Sequence, residues 1–140
     1  PTLHVIHLVS CVSVKLAHPA PARDLYCSPW FRLVRAVVEH KPWAILSARY
    51  GLVWPQAVID PYDETLRGKT SGERRAWAAG VLAAVPSADQ YVIWAGRIYA
   101  EHLAGALRAD LPLRGLGIGQ QLAYLKRAHA RLHPNVERKE

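Results

Sequence analysis

The stretch Trp43-Ala44-Ile45-Leu46-Ser47-Ala48-Arg49-Tyr50-Gly51-Leu52-Val53 begins as an unbroken apolar run and turns abruptly polar, aromatic and glycine-bearing. The apolar half reads as a strand buried on both faces, the kind found in parallel sheets covered by helices. In such open sheets ligands sit just beyond the carboxyl ends of the strands, so the polar half lies where chemistry is expected. Downstream, Asp60-Pro61-Tyr62-Asp63 adds two carboxylates and a second tyrosine. These residue types suit a ring-shaped, anion-linked ligand such as a nucleotide.

Outward from this stretch, strand and helix patterns alternate. On the N-terminal side, Leu3–Ser10 is apolar and β-branched, a first buried strand. A loop held extended by Pro19 and Pro21 follows. Ser28-Pro29 reads as N-cap plus first-turn proline of a helix whose apolar face is Trp30, Phe31, Val34, Val37 and Val38, stopped by Pro42. On the C-terminal side, residues 50–69 form a loop too long for a plain connector. Thr70 and Glu73 make a capping box for a helix carrying Trp77, Val81, Leu82 and Val85 and ending at Pro86. Gln90–Trp94 is a third strand, and Gly96 breaks it. Tyr99, Leu103, Ala106 and Leu107 recur at helical spacing. Leu111–Arg114 reads as a short fourth strand, and Gly115, Gly117 and Gly119 lead into a last helix with Leu122, Leu125, Ala128 and Leu132.

This β-α alternation predicts a single α/β domain over residues 1–133, with a charged tail over 134–140. The sheet is expected to be four-stranded and mostly parallel, with right-handed helical crossovers covering both faces. The strand ends at Ser10, Ala48, Trp94 and Arg114 should then share one edge.

The chain has 140 residues, a net charge of +7 and a pI near 9.8. Residues 1–70 carry 8 basic and 5 acidic groups and residues 71–140 carry 10 and 6, so the surplus is spread rather than confined to a tail. A basic domain attracts phosphate backbones, which makes nucleic acid the expected partner. No apolar run approaches the roughly 20 residues of a membrane span. The apolar start has no basic leader, so no signal peptide is expected. Two cysteines, Cys11 and Cys27, make no disulfide framework, as in a reduced cytoplasmic protein. No cofactor is expected: Gly115-Leu116-Gly117-Ile118-Gly119 is not the dinucleotide-binding glycine pattern. Nor is a metal, because the i, i+4 pair His129 and His133 has no evident third ligand.

The candidate residues cluster at the strand ends. Ser13 sits in the turn after the first strand, where backbone N–H groups face a ligand, and Lys15 adds a point charge. Cys11 lacks an evident base and reads as a buried thiol. Asp60 and Asp63 are candidates for general base or for stabilising positive charge, with turn capping around Pro61 as their ordinary structural role. Tyr50 and Tyr62 suit stacking on a base, and Arg49 and Arg97 suit phosphate or a leaving-group anion. Ser47 and Gly51 belong to the turn that presents Arg49 and Tyr50.

The runs Ser10-Cys11-Val12-Ser13-Val14-Lys15-Leu16 and His18-Pro19-Ala20-Pro21-Ala22-Arg23-Asp24-Leu25-Tyr26 resemble the opening of a small bacterial and phage family of domains of unknown function. The likeness continues through Ile45–Leu52, Ile59–Leu66 and Gly117–Leu122, and so covers most of the chain. Around Val12–Val14 it departs from the pattern, where Gly and Lys are usual. That family is similar to the peroxide-stress protein YaaA and to a uracil-DNA-glycosylase-like domain of archaeal tRNA-guanine transglycosylases. The resemblance implies a uracil-DNA-glycosylase-like sheet, DNA in preference to RNA as partner, and either DNA binding or removal of a modified base. It places the base pocket at Ser13 and Lys15, the Ser47–Gly51 turn and the Asp60–Asp63 segment. The Asp-Pro-Tyr-His and His-Pro-Ser motifs of true uracil-DNA glycosylases are absent.

The expected activity is hydrolysis of an N-glycosidic bond, with Asp60 or Asp63 supporting the sugar cation, Lys15 or Arg49 the departing base, and Tyr50 stacking on it. A non-catalytic nucleic-acid-binding domain, or a hydrolase or transferase acting on free nucleosides or nucleotides, are the alternatives.

Overall fold

The computed structural model describes residues 3–132. The charged tail, Pro1 and His133 lie outside the described residues. The elements follow as β1 (Leu3–Ser10), β2 (Ala20–Pro21), α1 (Ala22–Leu25), α2 (Pro29–Val38), β3 (Trp43–Ser47), β4 (Gly51–Val53), β5 (Val58–Ile59), α3 (Ser71–Ala84), β6 (Ala88–Trp94), α4 (Arg97–Ala100), α5 (Ala104–Leu107) and α6 (Ile118–Leu132). The protein is a single α/β domain. Its four-stranded sheet has the order β4-β3-β1-β6. β1 pairs in parallel with β3 on one side and β6 on the other, and β4 closes the β3 side in antiparallel sense.

Side-chain alternation along the central strands makes two cores. Ile6 and Leu8 of β1, Ala44 and Leu46 of β3 and Ile93 of β6 face one way, against Ala78 and Val81 of α3 and Ala100 and Leu103. Val9, Trp43, Ile45, Val92 and Trp94 face the other, against Phe31, Val34 and Val38 of α2 and Leu125 and Ala128 of α6. The period of two is the ordinary consequence of the β pleat, and both faces need helices because both are apolar. Among the described residues no helix is long and apolar enough to cross a membrane.

Helix starts follow the sequence signals. The Ser28 hydroxyl accepts from the Phe31 N–H, with Pro29 in the first turn. Thr70 and Glu73 satisfy each other's backbone N–H groups reciprocally.

Two expectations are corrected. Leu111–Arg114 is not a strand. Asp110 makes one parallel bridge to Val92, and the chain then turns, with Leu113 buried as a plug beneath it. The fourth strand is β4, which follows β3 through a three-residue turn that needs Gly51 at φ +72°. The helical pattern from Tyr99 to Leu107 splits into α4 and α5, because Leu103 turns into the core between them.

Candidate functional site

A cleft of about 930 Å³ opens at the carboxyl ends of β1 and β6. Five stretches of chain line it: Ser10–Lys15, Ser28–Trp30, Asp63–Arg67, Gly96–Tyr99 and the first turn of α6.

The loop after β1 is fixed by backbone pairing. Lys15 forms an antiparallel bridge with Tyr26, the Leu16 N–H donates to Leu25 O at 2.9 Å, and the Cys27 N–H donates to Val14 O at 3.0 Å. This pairing lays the Lys15 side chain across two aromatic rings. Its Nζ is 4.4 Å from the Tyr62 ring centroid and 5.8 Å from that of Tyr26, a cation–π seat. Its hydrogen-bond partner is Ser13 O at 3.5 Å, and no carboxylate stands within ion-pair distance among the described residues. Burial pulls the Lys15 ammonium below its ordinary pKa, while Cys11 and Asp63 oppose that shift.

The rings beneath Lys15 form a buried wall. Ser47 Oγ donates to Tyr62 OH at 2.8 Å and accepts from the Tyr50 N–H at 3.0 Å. The hydroxyls of Tyr62 and Tyr26 share a 2.6 Å hydrogen bond. Burial raises both phenols, Tyr26 to about 12 and Tyr62 further, with Cys11 reinforcing the shift on Tyr62. Both stay protonated at neutral pH.

The long loop after β4 is carried across the molecule by the β2–β5 ribbon, in which Ala20 pairs with Ile59. Leu66 anchors its far end. It is fully buried, its N–H donates to Tyr99 OH at 3.3 Å, and its carbonyl accepts from Arg74 Nε at 3.0 Å. Between these anchors Asp63, Glu64 and Thr65 face the cleft, and Arg67 joins them just past Leu66. Tyr99, also a lining residue, is raised by burial and by its neighbour Cys11. On the opposite wall Trp30 Nε1 donates to Gln121 Oε1 at 2.8 Å, clamping α2 to α6.

Ser13, Lys15, Asp63 and Arg97 therefore meet in one cleft. Ser47 and Tyr62 stand behind Lys15 as its support. Tyr50 and Gly51 lie beyond that support and outside the lining, the Tyr50 ring set edge-on to Tyr62 at 5.6 Å. Asp60 is exposed and outside the lining. Arg49, also outside, pairs with Glu64 at 2.9 Å. Residues 6–127 match a family described as "Family of unknown function (DUF6884)". The chain belongs to that family. No curated protein and no solved structure matches it. The DUF6884 match spans every stretch that lines the cleft.

Sequence reasoning passed over Trp30, Arg67, Tyr99 and Gln121. Trp30 lies on the helix face read as core, Tyr99 reads the same way, and nothing local marks Arg67 or Gln121 as cleft-facing. The one available signal is positional: Trp30 and Gln121 each fall in the first turn of a helix, α2 and α6.

Proposed function

We propose that the cleft receives one nucleotide of DNA and that the protein hydrolyses the N-glycosidic bond to its base. One observation carries this reading: a lysine seated on aromatic rings, a carboxylate and arginines converge in a cleft of ligand size at the carboxyl ends of the parallel strands β1 and β6. The resemblance of the sequence motifs to a family that is itself similar to a uracil-DNA-glycosylase-like domain supports it.

Cleavage of an N-glycoside passes through an oxocarbenium-like transition state, as in sugar hydrolysis. Asp63 faces the sugar, stabilises its positive charge and accepts the proton of the attacking water. Lys15 faces the base and supplies a proton as the bond breaks, so that the base leaves neutral. Arg97 and Arg67 hold the flanking phosphates. The base enters by leaving the duplex stack, and the Trp30 and Tyr99 rings give it apolar walls. In this assignment Trp30 takes the place that Tyr50 has in the sequence reading, and Asp63 is preferred to Asp60.

The test incubates the protein with duplexes bearing a panel of modified bases and seeks free base by mass spectrometry. Release of one base from its duplex, leaving an abasic deoxyribose, is the expected result. Binding without release from any duplex overturns hydrolysis and leaves a base-sensing domain. Release from free nucleosides but not from duplexes moves the activity to small molecules.

A further inference from the structure

We infer that the Lys15 amine condenses with the C1′ aldehyde of an abasic deoxyribose, so that the protein also cuts the strand at an abasic site. This rests on the cleft being a site for a nucleotide of DNA.

The geometry singles out this amine. Lys15 is the one lysine lining the cleft among the described residues; the other cations there, Arg67 and Arg97, are guanidinium groups that form no imine. A surface lysine is normally solvated or ion-paired. This one is laid over the Tyr62 ring at 4.4 Å and tethered only by a long 3.5 Å contact to Ser13 O. With no carboxylate salt bridge to hold the proton, and with its pKa lowered by burial, the group gives up its proton more readily than an exposed lysine. Asp63 lines the same cleft without being tied to it in an ion pair, so a carboxylate is present for a second proton transfer.

The steps balance without any redox partner. Loss of the base leaves a cyclic hemiacetal that opens to the C1′ aldehyde. Neutral Lys15 Nζ adds to C1′, the resulting hydroxyl takes a proton from solvent and departs as water, and a protonated imine forms. The imine acidifies C2′, whose proton passes to Asp63. The C2′–H electron pair forms the C1′–C2′ enamine and then expels the 3′-phosphate, breaking the C3′–O bond. Water hydrolyses the remaining imine, returning the amine and leaving an unsaturated aldehyde on the cut strand.

The experiment uses the full chain and a duplex with one preformed abasic site, so it does not depend on base release. Borohydride reduces any imine to a stable secondary amine, which peptide mass spectrometry then locates. The parent protein should give a covalent adduct at Lys15 and, without borohydride, a strand cut on the 3′ side of the abasic site. Lys15→Arg keeps the cation but has no amine. Its adduct and its incision should fall by roughly 100-fold or more, the scale of a lost reacting group. Lys15→Gln is run beside it, with melting curves for both. Failure of the parent protein to trap or cut the abasic duplex overturns the inference, whether or not the duplex binds. So does an adduct on another amine, or Lys15→Arg trapping at the parent rate. If the abasic duplex is trapped at Lys15 while no modified base is ever released, the inference stands and the glycosidase reading falls.

Discussion

Asp60 and Asp63 are three positions apart, and the fold treats them differently. Only Asp63 reaches the cleft. A group that works mainly in the transition state affects turnover rather than ground-state binding. Asp63→Asn should therefore lower single-turnover base release by roughly 100-fold while DNA binding and melting persist. Asp60→Asn should stay within about twofold of the parent, as surface changes usually do. Equal effects from the two would show that the loop, not the cleft carboxylate, is what matters. Tyr62 poses a different question. The sequence offers it as a stacking surface, but its hydroxyl joins Ser47 to Tyr26 inside the protein. A buried polar group left without its partner costs about 1–3 kcal/mol, so Tyr62→Phe should destabilise by that amount in denaturant unfolding. The ring stays, so the seat of Lys15 should survive. These bonds are not legible in the sequence, because a hydroxyl's partners come from segments far apart in the chain.

Among the elements, the apolar runs of β1, β3 and β6 and the caps of α2 and α3 were legible because each is written in a few consecutive residues. β4 was not. Three residues, Gly51–Val53, are too few to show a period of two, and they lie in a stretch whose polar start reads as loop. Leu111 and Leu113 misled in the opposite sense: their alternation serves a buried turn instead of a strand. The turn into β4 gives a direct check. Gly51 has φ +72° with open space around the position of a Cβ, so an alanine there meets no clash and pays only for the left-handed backbone. Gly51→Ala should lower stability by about 1–2 kcal/mol, measured by denaturant unfolding. Thr70→Ala removes the capping box of α3 and should cost about 1 kcal/mol in the same assay.

Across the whole molecule, charge and protonation set the response to solution conditions. Arg97, Lys126, Arg127 and Arg131 are exposed. If each neutralises one phosphate, the slope of log K against log salt is about −3.6, and duplex affinity should drop roughly 100-fold between about 50 and 200 mM salt. Salt-independent binding would remove nucleic acid as the partner. Stability should depend on pH through His7, which is buried between β3 and β6 and accepts from Trp94 Nε1 at 3.0 Å. Burial, with a smaller push from Lys41, lowers its pKa from 6.5 to about 4. Between those values the unfolded chain binds more protons than the folded one, so stability rises with pH there. The contribution is complete above about pH 6.5, shrinks as pH falls through the window, and levels off below about pH 4. Its size is about 2–3 kcal/mol, and a set of unfolding curves from pH 7 to 4 measures it. His7→Gln should flatten that part of the profile.

The cleft is stitched from five stretches of one chain, between Ser10 and Leu122. None of them holds its shape apart from the others, so an unfolded chain has no binding site at all. A true ligand must therefore tighten the whole protein, and the thermometer becomes a detector of chemistry. At a free concentration of about 100 times its dissociation constant, such a compound adds about 2.7 kcal/mol and lifts the melting temperature by roughly 10 °C. Nucleosides, nucleotides and short oligonucleotides can be sorted this way before any reaction is known, each by the degrees it contributes.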